Sequence, residues 1–290
     1  MFWSLMPFER CRVSVVIPAF NMERNISETL DALQRQTFTA FEVIVVDDCS
    51  TDGTADIVME RVAKDARFRY VRLEANSNRP AVPRNRGIAE AVGEFVAFLD
   101  HDDLWSPRKL ERQVRVLDAR PDLAMVHSHL WDFTERSKLR GLIYLPNPYR
   151  RLAAYNLLRQ HNVVQCSAAI VRLSVVRELG GFDERPELRA IEDYHLWLRV
   201  SQEHKIAYIS EIHGYYRCSP NSTSTQESLL TKHRYLDENS STAILSSAPS
   251  PVRRAARKIA GYPLALYFHL LDGGIRQLLD KPPRVFEVGS

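Results

Sequence analysis

A short apolar run that ends abruptly in acidic residues constrains the fold of this chain more than any other stretch. Residues 96–99, VAFL, predict a buried strand, because a continuous apolar run suits a sheet that is covered on both faces. Asp100, Asp102 and Asp103 follow at the carboxyl end of this strand, where open α/β sheets bind ligands. Closely spaced carboxylates favour a hard cation such as Mg2+ or Mn2+. The alternative is a solvated turn that caps a helix beginning at Pro107.

Strands and helices alternate over the first hundred residues. Residues 12–20, 41–46 and 68–73 are rich in β-branched and aromatic side chains and predict strands, whereas residues 21–36 and 54–63 have helical spacing. This alternation is typical of βαβ units and predicts an α/β fold with a mostly parallel, Rossmann-like sheet. The first strand is not followed by G-x-G-x-x-G, which argues against an NAD or FAD enzyme.

An irregular basic segment, residues 76–85, separates the third strand from a helix predicted over residues 87–92. Arg79, Arg84 and Arg86 lie in or beside this segment. Arginines before a helix N-terminus suit a phosphate, which a guanidinium binds together with backbone amides. An exposed basic turn is the other interpretation of the same residues.

The stretch AIEDYHLWLRV, residues 190–200, predicts a helix with one buried apolar face. Glu192 and Asp193 open this helix, where the helix dipole favours ionised carboxylates. Upstream, His127 and His129 alternate along a predicted strand, so they face either a cleft or ordinary contacts within the sheet. The remaining elements predicted in this half are a strand over 165–171, a helix over 174–179 and a strand over 206–209.

Composition limits the kinds of partner and location. The net charge of +3 is too small to indicate nucleic acid, so we predict no nucleic-acid partner. Four scattered cysteines without metal-ligand spacing predict reduced thiols and a cytoplasmic protein. The first residues lack the basic region and cleavage site of a signal peptide, and no run reaches the about 18 to 20 apolar residues of a spanning helix.

The last part of the chain, residues 224–290, predicts a helical extension. Residues 252–279 combine arginines with apolar and aromatic residues at amphipathic spacing. Such a segment predicts peripheral contact with the inner face of the cytoplasmic membrane, self-association in a homo-oligomer, or packing on the preceding domain.

The motifs together resemble the family 2 glycosyltransferases, which are inverting enzymes of GT-A fold that use nucleotide-diphosphate sugars. The stretches that carry the resemblance occur in the family's order and are SVVIPAFN, VIVVDDCSTDGT, PRNRGI, FLDHDDLW, GGFDE and EDYHLWLR. The resemblance implies a GT-A catalytic domain over residues 1–223, followed by the extension over 224–290. Its nucleotide-sugar half would span about 10–105 and its acceptor half about 106–223.

The resemblance also implies a role for individual residues. Asp193 becomes the general base, and Asp102 and Asp100 become the ligands of Mn2+ or Mg2+. Glu192 and Trp197 lie on the acceptor side. The residues implied to bind the nucleotide sugar are Pro18, Ala19, Phe20, Asn21, Asp47, Asp48, Asn76, Arg84, Asp100, His101 and Arg217.

Two of these assignments leave alternatives. Either Asp47 or Asp48 accepts a hydrogen bond from an imide N–H of the base, and either carboxylate also suits a turn or helix cap. The choice between Arg79 and Arg84 is open, because Ala-Val-Pro replaces the small residues that usually precede the family's arginine.

The implied function is transfer of a hexosyl or N-acetylhexosaminyl group from a UDP- or dTDP-type donor to a hydroxyl of a glycan or lipid-linked saccharide. Bacterial cell-envelope polysaccharide synthesis is the implied setting. One alternative is a catalytically silent module that binds a nucleotide sugar or glycan. Another is a sugar-phosphate nucleotidyltransferase, which would require a glycine-rich phosphate loop that SVVIPAFN lacks.

Overall fold

A computed structural model of the chain describes residues 11–133, 141–142, 162, 164–218 and 285–287. Helices and strands alternate through its first half, as the sequence predicts. The strands are β1 (Val13–Ala19), β2 (Phe41–Asp47), β3 (Phe68–Arg72), β4 (Phe95–Phe98), β5 (Leu104–Trp105), β6 (Leu123–Phe133), β7 (Gly141–Leu142), β8 (Ala169–Arg172), β9 (Lys205–Arg217) and β10 (Val285–Glu287). The α-helices are α1 (Ile26–Gln34), α2 (Thr54–Lys64), α3 (Ala81–Glu90), α4 (Lys109–Ala119), α5 (Leu173–Glu178) and α6 (Glu192–Glu203).

The strands form one mixed sheet in the order β10-β9-β6-β8-β4-β1-β2-β3, with β5 beside β9 and β7 beside β6. β1 pairs in parallel with both β2 and β4, and β2 pairs in parallel with β3. β8 is antiparallel to β4 and to β6, while β6 is parallel to β9. The strands β1, β2, β4, β6 and β9 therefore all end at the same edge of the sheet.

Helices cover both faces of the sheet, which explains the continuous apolar runs. Every residue of β1, β2 and β4 is buried, and alternate residues join two different core clusters. Val16 belongs to the cluster that includes Ile88 of α3 and Trp197 of α6. Its neighbour Val15 belongs to the cluster that includes Leu30 of α1 and Leu110 of α4. The predicted α/β fold with a buried, mostly parallel sheet is confirmed for this half.

The basic segment is helical where we predicted a loop. α3 begins at Ala81 rather than at residue 87, so Arg84 lies on a helix. Pro83 fits the first turn, because the N–H groups there have no intrahelical partner to lose. Packing against the sheet favours this helix over the irregular course predicted from the sequence.

Other boundaries also differ from the predictions. The helix expected from Pro107 begins at Lys109, and the preceding residues Leu104–Trp105 pair with β9 instead of forming a cap. The strand predicted over 165–171 starts as a 3-10 turn, Cys166–Ala168, and the strand predicted over 206–209 extends to Arg217. These pairings join residues far apart in sequence.

Most of the predicted helical extension over 224–290, including residues 252–279, lies outside the described residues. Beyond that segment, Val285–Glu287 pairs with β9 as an antiparallel strand. Among the described residues, no helix has the length and hydropathy needed to cross a bilayer.

Candidate active site

The acidic stretch after β4 forms a closed loop at the carboxyl edge of the sheet. The N–H of Asp100 donates to Ser167 Oγ at 3.0 Å, and the N–H of Asp103 donates to the Asp100 carbonyl at 3.1 Å. The indole N–H of Trp105 donates to the Ser167 carbonyl at 2.8 Å. The residues just before β8 therefore hold both ends of the loop and leave Asp100 and Asp102 partly exposed.

The carboxylate of Asp102 is partly buried and lies near the charged side chain of Asp100. Burial raises the pKa of Asp102, and the neighbouring charge of Asp100 raises it further, against lowering by His101. Two adjacent carboxylates whose charged forms oppose each other in this way are stabilised when a cation lies between them.

His101 and Arg217 connect the acidic loop to neighbouring parts of the protein. A ring nitrogen of His101, Nδ1, lies 2.7 Å from the Pro18 carbonyl oxygen at the end of β1. Arg217 donates from Nε to the Asp102 carbonyl at 2.8 Å and from Nη2 to Glu28 at 2.7 Å. Its guanidinium also lies 4.6 Å from the ring centroid of Phe133. In this geometry both side chains contact protein groups that shape the loop.

Asp103 belongs to the predicted acidic cluster, but the family resemblance gave it no role of its own. Its side chain is buried, and Oδ1 accepts a hydrogen bond from the Arg217 N–H at 2.9 Å. Thr29 Oγ1 donates to the Asp103 carbonyl at 3.0 Å and to the His101 carbonyl at 2.9 Å. Burial and the charge of Asp102 raise the pKa of Asp103 well above its ordinary value. Asp103 thus joins α1, the acidic loop and the end of β9.

Arg84 connects the acidic loop to the start of α6. Its side chain is buried, and Nη2 donates to Asp100 Oδ1 at 2.7 Å while Nη1 donates to Glu192 Oε1 at 2.6 Å. Arg79, the other arginine considered in the basic segment, instead donates to the carbonyls of Ser77 and Glu184. Three of the predicted site residues are therefore brought together through one guanidinium.

Asp193 lies in the first turn of α6, beside Glu192. Burial raises the pKa of Asp193 to about 7, and the negative charge of Glu192 adds to the shift. Its Oδ1 accepts a hydrogen bond from the N–H of Tyr194 at 2.7 Å. The backbone just before this helix is unusual, since Ala190 has a φ of 70°. A positive φ is unfavourable for a residue with a β-carbon. Alanine in this conformation therefore indicates that the surrounding structure holds the segment in place.

Trp197 does not lie where we predicted. Its side chain is fully buried, and its ring packs against Phe98 at 6.2 Å and Phe182 at 6.4 Å between centroids. The indole anchors α6 to the sheet, so the prediction that the Trp197 side chain serves the acceptor side is corrected. The sequence spacing of Asp193 and Trp197 placed both on one helix, but only packing shows which side chain enters the core.

The two aspartates at the carboxyl end of β2, Asp47 and Asp48, differ in their partners. Asp47 is completely buried, and its two oxygens accept hydrogen bonds from Ser50 N–H (2.9 Å), Ser50 Oγ (2.5 Å), Tyr70 (2.6 Å) and Arg72 (3.0 Å). Asp48 accepts from the N–H and the hydroxyl of Ser77, each at 2.9 Å. A carboxylate has about four acceptor positions, so Asp47 is saturated by the protein and Asp48 is not.

The end of β1 and the loop after β2 interlock. Asn21, with a φ of 51°, accepts from Thr51 N–H at 2.8 Å and donates its own N–H to Ser50 Oγ at 3.0 Å. Pro18 and Ala19 are buried, whereas the ring of the following residue, Phe20, is 42% exposed. Asn76, across this edge, is exposed and accepts from the Asn78 N–H at 2.6 Å. These residues lie at the carboxyl edge of the sheet, where the Phe20 ring is accessible to a ligand.

The histidines of β6 adopt the second of the two predicted arrangements. His127 is buried, and both rings pack against Tyr208, with centroids 5.2 Å away for His127 and 4.8 Å for His129. His129 also hydrogen-bonds the Tyr208 hydroxyl. Burial lowers the pKa of His127 to about 3 and that of His129 to about 4, so both are neutral at physiological pH.

The sequence of residues 14–180 matches the family described as glycosyl transferase family 2. The chain belongs to this family. It is 32% identical over 216 residues to the putative teichuronic acid biosynthesis glycosyltransferase TuaG of Bacillus subtilis, over 74% of this chain and 82% of TuaG. The enzyme class predicted from the motifs is thereby confirmed.

Solved structures agree with this assignment. This glycosyltransferase superposes on the crystal structure of Staphylococcus aureus TarS 1-349 in complex with UDP with a TM-score of 0.59 and 26% identity, over 72% of this chain and 61% of that chain. It also shares its fold with the mannosyltransferase PcManGT of Pyrobaculum calidifontis in complex with GDP-Man and Mn2+, with a TM-score of 0.62 and 22% identity over 94% and 82% of the two chains. The GT-A fold is thereby confirmed.

Proposed function

We propose that this chain is an inverting glycosyltransferase that moves a sugar from a UDP- or dTDP-type donor to a hydroxyl of a glycan or lipid-linked saccharide. The observation that carries the proposal is the contact of the Arg84 guanidinium with both Asp100 of the acidic loop and Glu192, which brings Asp193 at the start of α6 to the same edge as that loop. A general base works best when its pKa is near the working pH. Asp193 meets that requirement, since burial raises its pKa to about 7.

The reaction is then a single displacement. The Asp193 carboxylate takes the proton of the acceptor hydroxyl as that oxygen forms a bond to the anomeric carbon of the donor sugar. The bond between the anomeric carbon and the diphosphate oxygen breaks, and the electron pair leaves with the nucleoside diphosphate. Attack from the face opposite the leaving group inverts the anomeric centre, as expected for a base without a covalent nucleophile.

Asp48 is a better candidate than Asp47 for recognising the nucleobase of the donor. Its carboxylate keeps acceptor capacity beyond the two hydrogen bonds from Ser77, whereas the Asp47 oxygens are saturated. The exposed ring of Phe20 lies at the end of the adjacent strand and can cover a flat nucleobase. We therefore assign Asp48 to the imide N–H of a uracil- or thymine-type base, and Asp47 to the support of the loop.

The acidic loop suits a divalent cation shared with the substrate. Among the described residues no group of three or more His, Cys, Asp or Glu forms a complete metal cage. Mg2+ and Mn2+ commonly bind through one or two carboxylates, with phosphate oxygens and water completing the shell. Asp102, with Asp100 beside it, supplies such a partial set. When bound, the cation would stabilise the charge that develops on the departing diphosphate.

Glu192 is suited to an acceptor or sugar hydroxyl. Arg84 occupies Oε1, while Oε2 is buried and has no hydrogen-bond partner within the described residues. A buried carboxylate oxygen without a partner is satisfied when a ligand donates to it. The relation to TuaG favours a cell-envelope polymer as acceptor, and the basic segment 252–279 would bring the enzyme to a membrane-linked saccharide.

Donor binding and turnover test this proposal. We would measure thermal stabilisation by a panel of nucleoside diphosphates and their sugars, with and without Mn2+, for the wild type, Asp102→Asn and the control Asp56→Asn on the exposed face of α2. A metal-dependent shift with a uridine or thymidine compound that is lost only in Asp102→Asn is expected. Binding without release of nucleoside diphosphate to any saccharide acceptor would favour the silent binding module instead.

A further inference from the structure

The side chain of Arg84 is committed to two carboxylates from distant parts of the chain. Asp100 follows β4 and Glu192 begins α6, yet one guanidinium reaches both at 2.7 and 2.6 Å. The ion pair with Glu192 is nearly excluded from solvent, with 5% of the Arg84 and 6% of the Glu192 side chain exposed. The ring centroid of Phe182 lies 5.4 Å from the guanidinium carbon.

This arrangement differs from that of a phosphate-binding arginine. A guanidinium that binds diphosphate must present its paired N–H groups to the ligand. In Arg84 each terminal nitrogen already donates to a carboxylate, and Nε is buried without a partner among the described residues. Removing either carboxylate would leave the buried guanidinium with one counterion in place of two and with an unpaired N–H group, which is costly.

The contact with Arg84 lies in the first turn of α6. Its N-cap residue, Ile191, makes no side-chain hydrogen bond to the first turn, and the preceding Ala190 adopts its strained conformation. The first turn therefore lacks the usual cap that fixes a helix N-terminus. The Arg84–Glu192 ion pair ties this turn, and with it Asp193, to the acidic loop.

We propose that Arg84 is a positioning residue that fixes the Asp193-bearing turn of α6 relative to Asp100, and that it does not bind the donor diphosphate. This inference rests on the proposed function for its catalytic consequence. A displacement of the base by about 1 Å lowers the rate on the order of 100-fold even when the substrates still bind.

The first test compares Arg84→Lys with Arg86→Lys, a control on the same helix whose exposed guanidinium pairs with Glu90 at 2.9 Å. Lysine keeps the charge but cannot reach two carboxylates as a planar fork. We expect kcat to fall on the order of 100-fold in Arg84→Lys only, with the metal-free Kd for UDP and for uridine each within about threefold of the wild type. A Kd that rises tenfold or more for UDP but not for uridine would identify a phosphate ligand and overturn the proposal.

A second test needs no substrate. Hydrogen exchange of the amides of residues 192–195 should be on the order of tenfold faster in Arg84→Lys and in Glu192→Gln, and unchanged in Arg86→Lys. The two substitutions should also be non-additive in kcat, since both break one contact. If Arg84→Lys does not fold, hydrogen exchange in Glu192→Gln decides, because wild-type exchange of residues 192–195 in that variant would refute the positioning role. If the wild type transfers no sugar to any saccharide acceptor, the proposed function is refuted instead.

Discussion

Asn85 occupies the space that a β-carbon at Gly181 would need. The amide of Asn85 accepts from the Phe182 N–H and donates to the Phe182 carbonyl, each at 2.8 Å. Its Oδ1 would lie only 2.5 Å from a β-carbon added at position 181, where φ is 74°. The asparagine that follows Arg84 in sequence therefore fixes the loop that leads towards α6.

Gly181→Ala should destabilise the protein more than Gly180→Ala. Both positions have a positive φ, but a β-carbon at Gly180 would meet nothing within 4 Å. Gly180→Ala should cost about 1–2 kcal/mol from backbone strain alone. Gly181→Ala should cost about 1 kcal/mol more, because the Asn85 amide must also move. Urea unfolding measures both. Equal losses, or a difference that persists in an Asn85→Ala background, would contradict the steric explanation.

The rate should rise with pH through the ionisation of Asp193. Its raised pKa of about 7 keeps part of the carboxyl protonated near neutrality, and only the ionised form accepts a proton. We expect kcat/KM to increase tenfold per pH unit below about 7 and to level off above it. In Glu192→Gln the midpoint should move to lower pH, because a charge that raises the pKa of Asp193 is removed.

Asp193→Asn provides the control for this profile. General-base catalysis contributes about 10²- to 10⁴-fold, so kcat should fall by that amount while donor binding is retained. The residual rate should lose its dependence on pH near 7. A profile with the same midpoint in the Asn variant would assign the ionisation to another group.

Asp47→Asn and Asp48→Asn should separate stability from nucleotide binding. Asp47 accepts from Ser50, Tyr70 and Arg72 in a buried position, so its substitution should lower the free energy of unfolding by about 1–3 kcal/mol. An asparagine at position 48 can still pair with Ser77 and should weaken UDP binding about tenfold with little loss of stability. Denaturant titration and calorimetry check the two effects, and reversed roles would refute the assignment.

Acid should destabilise the protein through the histidines of β6. The pKa values of about 3 for His127 and about 4 for His129 lie below the ordinary value of about 6.5, so the unfolded chain binds more protons. The stabilisation is complete above pH 6.5 and falls by about 1.4 kcal/mol per unit for each histidine as pH drops towards 4.

Unfolding by urea at pH 7, 6 and 5 measures this loss. A His127→Gln/His129→Gln variant should be less sensitive to pH over that range than the wild type. Parallel curves for the two proteins would place the acid sensitivity elsewhere in the chain.

Local sequence determined the strands, most helices and the chemical identity of the site. Buried runs such as residues 96–99 predict strands because a continuous apolar segment is stable only when both faces are covered. The acids at the ends of these strands predict a shared edge because parallel strands end together. The family resemblance followed from the same motifs and was confirmed by the match over residues 14–180.

The partners of each site residue were decided by the tertiary structure. Arg84 and Glu192 are 108 residues apart, and their ion pair exists only because α3 and α6 pack on one face of the sheet. The start of α3 at Ala81 and the burial of Trp197 likewise depend on packing, which overrides the local preferences of the sequence. Spacing along a chain identifies which groups reach the edge of the sheet, whereas long-range contacts determine which of those groups remain available to a substrate.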